Sequence, residues 1–93
     1  MDEEFAERMR LLRVAYGLTI GISELSQLRW AQIVGMSATG WNNCEARGAR
    51  LGLDRALTIC AKTGASLDFI YRGDRSALPP KLQLALIEAE QIK

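Results

Sequence analysis

The stretch "QLRWAQIVGMSATGWNNCEAR", residues 27–47, decides the fold of this chain. Ser26 stands just before it and is a typical N-cap, while Gly35 is placed where a short helix would end. Ser37 is a second N-cap residue, and the segment after it again has helical spacing. We therefore predict two short helices joined by a turn of three or four residues. The apolar face of the first is predicted to consist of Leu28, Ala31 and Val34.

The second of these helices has two unlike faces. Trp41 and Cys44 stand three residues apart and share one side, which we predict to face the core. Thr39, Asn42 and Asn43 lie on the other side and carry polar groups without charge. Gly40, inside this helix, is unfavourable by about 1 kcal/mol relative to alanine. It therefore predicts a close approach, either to the preceding helix or to a ligand.

The remaining N-terminal half predicts one more helix and an irregular connection. Apolar residues recur at helical spacing, and the helix is predicted to run to about Ala15 and to stop before Gly17. Its apolar face is formed by Phe5, Met9, Leu12 and Tyr16. Residues 17–24, "GLTIGISE", read as a connection because they contain two glycines, a threonine and a serine.

The C-terminal half predicts three further helices. One ends at Gly64, and the next is a short helix capped by Ser66. The tripeptide "RGD", residues 72–74, reads as a turn, and the last helix lies within 79–93. The predicted stripe of the first of the three is Leu53, Ala56, Leu57, Cys60 and Ala61. The last helix is predicted to carry Leu82, Leu86 and Ala89 on one side and Leu84 and Ile87 on another.

These elements predict a single all-α domain over 1–93, a compact bundle of five to six short helices. The chain has no histidine, the most frequent general base and transition-metal ligand, so a catalytic triad or a Cys/His zinc site is not expected. We expect no enzyme activity, no cofactor and no metal. Cys44 and Cys60 are expected to be packed thiols, because nothing in the sequence resembles a secretory signal or a membrane span.

Charge is unevenly distributed although the net charge is only +1. The first 24 residues contain more acids than arginines. Residues 25–53 contain three arginines and a single acid, Glu45. The middle third of the chain is therefore locally positive, which favours an anionic partner for that region.

The helix, glycine-containing turn and helix of residues 27–46 have the spacing of a helix-turn-helix. In register and order, this segment resembles the DNA-binding proteins of the Cro and lambda-repressor type, the XRE family. "FAERMRLLRVAYGL", residues 5–18, is similar to that family's first helix, and "LGLDRALTICAKTGASLDFIYRGD", residues 51–74, to its later ones. One departure is "IGISELS", residues 20–26, which lengthens the connection before Gln27.

The resemblance implies a double-stranded DNA partner, with the helix at 37–46 in the major groove. Candidate base-reading residues are Ala38, Thr39, Asn42 and Asn43. Asparagine amides match adenine N6 and N7, and the alternative for them is a solvated helix face. Candidate phosphate-binding residues are Gln27, Arg29, Ser37, Arg47 and Arg50. Ser37 is equally a plain cap, Arg29 a solvated cation, and Trp41 a core residue and not a base-stacking one.

The resemblance thus implies a transcriptional regulator, expected to be a repressor that acts as a homodimer in the cytoplasm of a bacterium or phage-infected cell. The last helix is the candidate dimer surface, and no membrane association is expected. Trp30 has two possible places, the core or beneath the inserted residues 20–26. The alternative function is an adaptor or antitoxin-like module that binds another protein through the same fold. The absence of arginine and lysine from the reading face favours it.

Overall fold

Six helices follow one another along the chain in a computed structural model that describes residues 2–92. The all-α prediction is confirmed, and the described residues contain no strand. The molecule is nearly isometric, with principal extents of 28 × 24 × 24 Å. The helices are α1 (Glu3–Thr19), α2 (Gln27–Val34), α3 (Ala38–Arg47), α4 (Leu53–Thr63), α5 (Leu67–Arg72) and α6 (Pro80–Gln91).

Side-chain caps set where most of these helices begin. The Ser26, Ser37 and Ser66 hydroxyls each accept a hydrogen bond from the backbone N–H three residues on, so the three predicted caps are confirmed. Asp2 does the same for α1, accepting from the Phe5 N–H at 2.9 Å. Gly35 ends α2 in the left-handed region with φ 74°, as the turn prediction requires.

The first helix is longer than predicted. It continues through Gly17 to Thr19, and the turn after it is made by Gly21 at φ 83°. Gly17 does not end the helix but permits close packing, because a Cβ there would lie 2.8 Å from Leu25 Cβ and 2.9 Å from the Ile22 carbonyl oxygen. Residues 20–26 therefore fold back over the end of α1, and only glycine leaves the room for them.

The core is built around two tryptophans. Trp30 and Trp41 are both fully buried, and their rings meet edge to face with centroids 5.3 Å apart. Tyr16 of α1 adds a third ring, 5.6 Å from Trp30. This places Trp30 in the core and confirms Trp41 as a core residue. Cys44 is buried beside them.

Two of the predicted apolar faces were only partly right, because Ala31 and Val34 of α2 and Ala56 of α4 are buried but their predicted neighbours are not. On α2, Leu28 is 60 % exposed, and the buried face is made by Trp30, Ala31 and Val34. Trp30 packs against Tyr16 of α1 and Trp41 of α3, so the opposite side of α2, which carries Leu28, faces solvent. On α4, only Ala56 of the predicted stripe is buried, together with Ile59, which the stripe omitted. The other members are exposed or half-buried: Leu53, Leu57, Cys60 and Ala61.

The last helix follows its prediction. Leu82, Leu86 and Ala89 are buried where α6 packs along α1, whereas Leu84 and Ile87 are exposed. The predicted range 79–93 includes Lys93, which lies outside the described residues. Among residues 2–92, no helix combines the length and the apolar character needed to cross a membrane.

Candidate nucleic-acid interface

The candidate interface is the solvent-facing side of α3 together with the start of α2. Ser37 caps α3, and Trp41 and Cys44 anchor its inner side. Gly40 does not mark a close contact between α3 and α2, which was one of its two predicted roles. A Cβ there would first meet the Ser37 Oγ at 3.0 Å and then the Met36 side chain at 3.7 Å, so the glycine leaves space for the cap itself.

The outward face of α3 is polar and accessible. Thr39 and Asn42 are exposed, while Ala38 and Asn43 are half-buried at its margins. Ala46 completes the exposed strip one turn beyond Asn42, a position that was not among the predicted site residues. The structure thus brings the four predicted base-reading residues onto one side of one helix.

One hydrogen bond joins α2 to α3 on this face. Asn42 donates from Nδ2 to the Gln27 Oε1 at 3.0 Å, which holds the Asn42 amide in one orientation. Its Oδ1 and its second N–H keep their hydrogen-bonding capacity, as does the Gln27 amide nitrogen. A carbonyl and an N–H side by side are the pair that an adenine edge requires.

The arginines of the region fall into two groups. Arg29 and Arg47 are exposed, and neither takes part in an ion pair within residues 2–92. Arg50 is directed elsewhere: it pairs with Asp2, and its guanidinium lies over the Phe5 ring, 4.7 Å from the centroid. The structure gives Arg50 a role in packing the N-terminus, which the prediction of a phosphate clamp did not include.

Glu45, the sole acid of α2 and α3, points inward. Its carboxylate accepts from Arg13 Nε at 2.7 Å and Nη2 at 2.9 Å, and also from the Trp41 indole N–H. Arg13 additionally donates to the Leu25 carbonyl oxygen. The Glu45 side chain is only 6 % exposed, so its charge is neutralised inside the fold. The outer surface of α2 and α3 therefore carries cationic side chains without a carboxylate.

Arg55 is a cation of this region that sequence reasoning missed. It belongs to α4, yet its Nη1 donates to the carbonyl oxygen of Gly35 in the turn between α2 and α3. The guanidinium is exposed near the start of α3. No local pattern could have indicated this, because the two residues are 20 positions apart.

The titratable groups near the site are few. The Phe5 N–H, and then Arg50, hold the pKa of the Asp2 carboxyl below its ordinary value. Burial raises the pKa of the Cys44 thiol, with a further contribution from the Glu45 charge, and burial likewise raises that of Cys60. Both cysteines are free thiols. Within residues 2–92, no three histidine, cysteine or acidic side chains gather as a metal site would require.

A cleft of the described residues lies away from this face. It measures about 450 Å³, opens between α1 and the segment that leads to α6, and is lined by Glu3, Glu4, Glu7, Arg8, Leu11, Phe69, Gly73 and Arg75. Its lining combines three carboxylates with two guanidinium groups, and so differs from the α2 and α3 surface. None of the predicted site residues lines this cleft.

Comparisons with family models, curated proteins and solved structures find no match to the chain.

Proposed function

We propose that this protein is a sequence-specific double-stranded-DNA-binding transcriptional regulator of the helix-turn-helix type, which reads the major groove with α3. The observation that carries the proposal is the charge arrangement of α2 and α3. Their one carboxylate, Glu45, is internally neutralised, while Arg29 and Arg47 remain on the surface. A surface of this kind attracts the phosphate backbone along its edges and presents neutral polar groups between them.

Base reading is assigned first to Asn42. Its amide is oriented by Gln27, so less side-chain freedom is lost when it meets a base edge. The free carbonyl and N–H match adenine N7 and N6, and Thr39, one turn earlier, is placed for a thymine methyl. Asn43 and Ala38 lie at the margins of the contact. Phosphate contacts come from Arg29, Arg47 and the Gln27 amide nitrogen. Ser37 caps α3 and also faces the sugar-phosphate backbone of the DNA. Arg55 contributes a further phosphate contact.

The proposed mechanism is occupancy of a site by a homodimer, which represses transcription by excluding other proteins. Two copies would read half-sites about 34 Å apart, and joining them raises the affinity through effective concentration.

Selection from a pool of random duplexes, followed by fluorescence anisotropy, tests the proposal. The selected duplex should bind at least tenfold more tightly than a scrambled one. Asn42→Ala should lose about 1–3 kcal/mol on the selected duplex only. Arg47→Glu should weaken binding to both duplexes and lower the salt slope by about 0.9 for each phosphate that it no longer neutralises. Arg72→Glu, an exposed arginine of α5, is the matched control and should change neither.

Failure to enrich any duplex would overturn DNA recognition. The second candidate function, a protein-binding adaptor or antitoxin-like module, is favoured by three leucines exposed on α2 and α4: Leu28, Leu53 and Leu57. Under that function, Leu57→Lys would abolish binding to the partner and Arg47→Glu would leave it intact. Arg50 is unsuitable for either test, since its replacement would also release Asp2 and Phe5.

A further inference from the structure

The outer side of α6 is an exposed apolar surface, separate from the exposed leucines of α2 and α4. Leu84 is 68 % exposed and Ile87 51 % exposed, although the helix is otherwise packed on α1. Beside Leu84 runs a groove of about 200 Å³ between the end of α1 and α6, lined by Leu18, Thr19, Lys81, Leu84, Ala85 and Glu88. Two exposed branched side chains next to an apolar groove favour a protein contact over solvent.

The charges of α6 are opposed to its own dipole. Lys81 lies in the first turn, where the helix end is positive, and Glu88 lies in the last turn, where it is negative. Neither side chain is in an ion pair within residues 2–92. They are seven residues, about 10 Å, apart along the helix, which is too far for them to neutralise each other. An antiparallel helix packed on α6 would stabilise both charges, because its negative end would lie beside Lys81 and its positive end beside Glu88.

These charges are also arranged symmetrically. Lys81 and Glu88 are equidistant from the midpoint between Leu84 and Ala85. A two-fold axis at that midpoint would place Lys81 of one copy opposite Glu88 of its partner, twice. It would also bring Leu84 of one copy over the groove of the other, at the buried and small Ala85, which leaves room for the leucine. A parallel pairing would instead oppose like charges. Such self-complementarity is the property of an isologous contact between identical chains.

We propose that α6 is the homodimer surface and that two copies pair antiparallel through Leu84, with reciprocal Lys81–Glu88 ion pairs. The dimer is part of the proposed function, but its test contains no DNA. A failure of dimer formation is therefore distinguishable from a failure of DNA recognition. The occupant of the α6 face is thus a second copy of this chain.

Sedimentation velocity of the full chain, from low to high micromolar concentration, measures the pairing. Leu84→Lys should raise the dimer dissociation constant at least tenfold. Leu57→Lys is the matched control, since Leu57 is a similarly exposed leucine on α4, and it should leave the constant unchanged. Unaltered near-ultraviolet circular dichroism would establish that both variants fold.

The orientation is tested by charge. In a dimer of Lys81→Glu, each of the two interface pairs consists of two carboxylates. In a dimer of Glu88→Lys, each pair consists of two ammonium groups. Repulsion within these pairs should weaken either dimer about tenfold or more. An equimolar mixture of the two variants should form a heterodimer as tightly as the wild type pairs, because every cross pair is then of opposite sign. A wild-type chain that stays monomeric, a mixture that fails to pair, or a dimer sensitive to Leu57→Lys and not to Leu84→Lys would each overturn the proposal.

Discussion

Asp2 joins the first turn of α1 to the loop after α3 through one carboxylate. It caps α1 at the Phe5 N–H and pairs with Arg50, whose guanidinium in turn lies over the Phe5 ring. Gly48 faces the same residue, since a Cβ there would overlap the Asp2 carbonyl oxygen. The N-terminus is therefore bound to the loop after α3 through this residue. The sequence did not predict the cap, because Asp2 precedes a run of acids that is equally typical of a solvated terminus.

Acid should remove the stabilisation that the Asp2 carboxylate contributes to the fold. The pKa of Asp2 is lowered from its ordinary value of 3.8, so its stabilisation is present above that value and is lost as the pH falls through the lower, folded pKa. Asp2→Ala should reduce the melting temperature at neutral pH, and the difference from the wild type should shrink on acidification below 3.8. Thermal denaturation of both proteins across that range measures it. A difference independent of pH would contradict the assigned cause.

At the scale of elements, the Arg13–Glu45 pair connects α1, α3 and the connection at 20–26. It lies inside the fold, with the Arg13 side chain 15 % and that of Glu45 6 % exposed. The position of α3, the proposed reading helix, is set by this contact and by the packing of Trp41. Sequence reasoning counted Glu45 only as a charge, because a partner 32 residues away leaves no local signal.

Breaking this pair should be costly. Glu45→Gln leaves Arg13 buried without its counter-charge, which should destabilise the protein by about 3 kcal/mol. The double variant Arg13→Met with Glu45→Gln should cost less than the two single changes together, because no unpaired charge then remains. Urea denaturation of the four proteins gives the coupling energy. The exposed Arg10–Glu7 pair is the control, where Glu7→Gln should cost less than about 1 kcal/mol. Equal effects at the two sites would contradict the buried role.

Helix boundaries and helix faces differed in how well the sequence predicted them. The starts at Ser26, Ser37 and Ser66 were predicted, since an N-cap is a contact across three residues. The buried faces of α2 and α4 were predicted only in part, because each helix is short and carries apolar residues on more than one side. The exposure of Leu28 and the burial of Ile59 follow from which neighbours pack against these helices.

At the scale of the whole molecule, one core holds all six helices. Trp30 and Trp41 are at its centre and are fully buried, so their fluorescence reports on the complete packing arrangement. We predict that the fluorescence and far-ultraviolet circular dichroism transitions in urea coincide, as for a two-state domain. An earlier loss of helical signal than of tryptophan burial would show that part of the helical structure unfolds separately, and it would contradict a single cooperative core.

Local patterns were sufficient to predict the all-helical class, the number of helices to within one, the turn between α2 and α3, and the inward side of α3. Those features depend on residues within one or two helical turns. Three contacts became evident only in the folded chain: the burial of Glu45 against Arg13, the hydrogen bond between Gln27 and Asn42, and the pairing of Arg50 with Asp2. These contacts join residues 15 to 48 positions apart, so their free energy depends on how the helices pack and not on any local pattern.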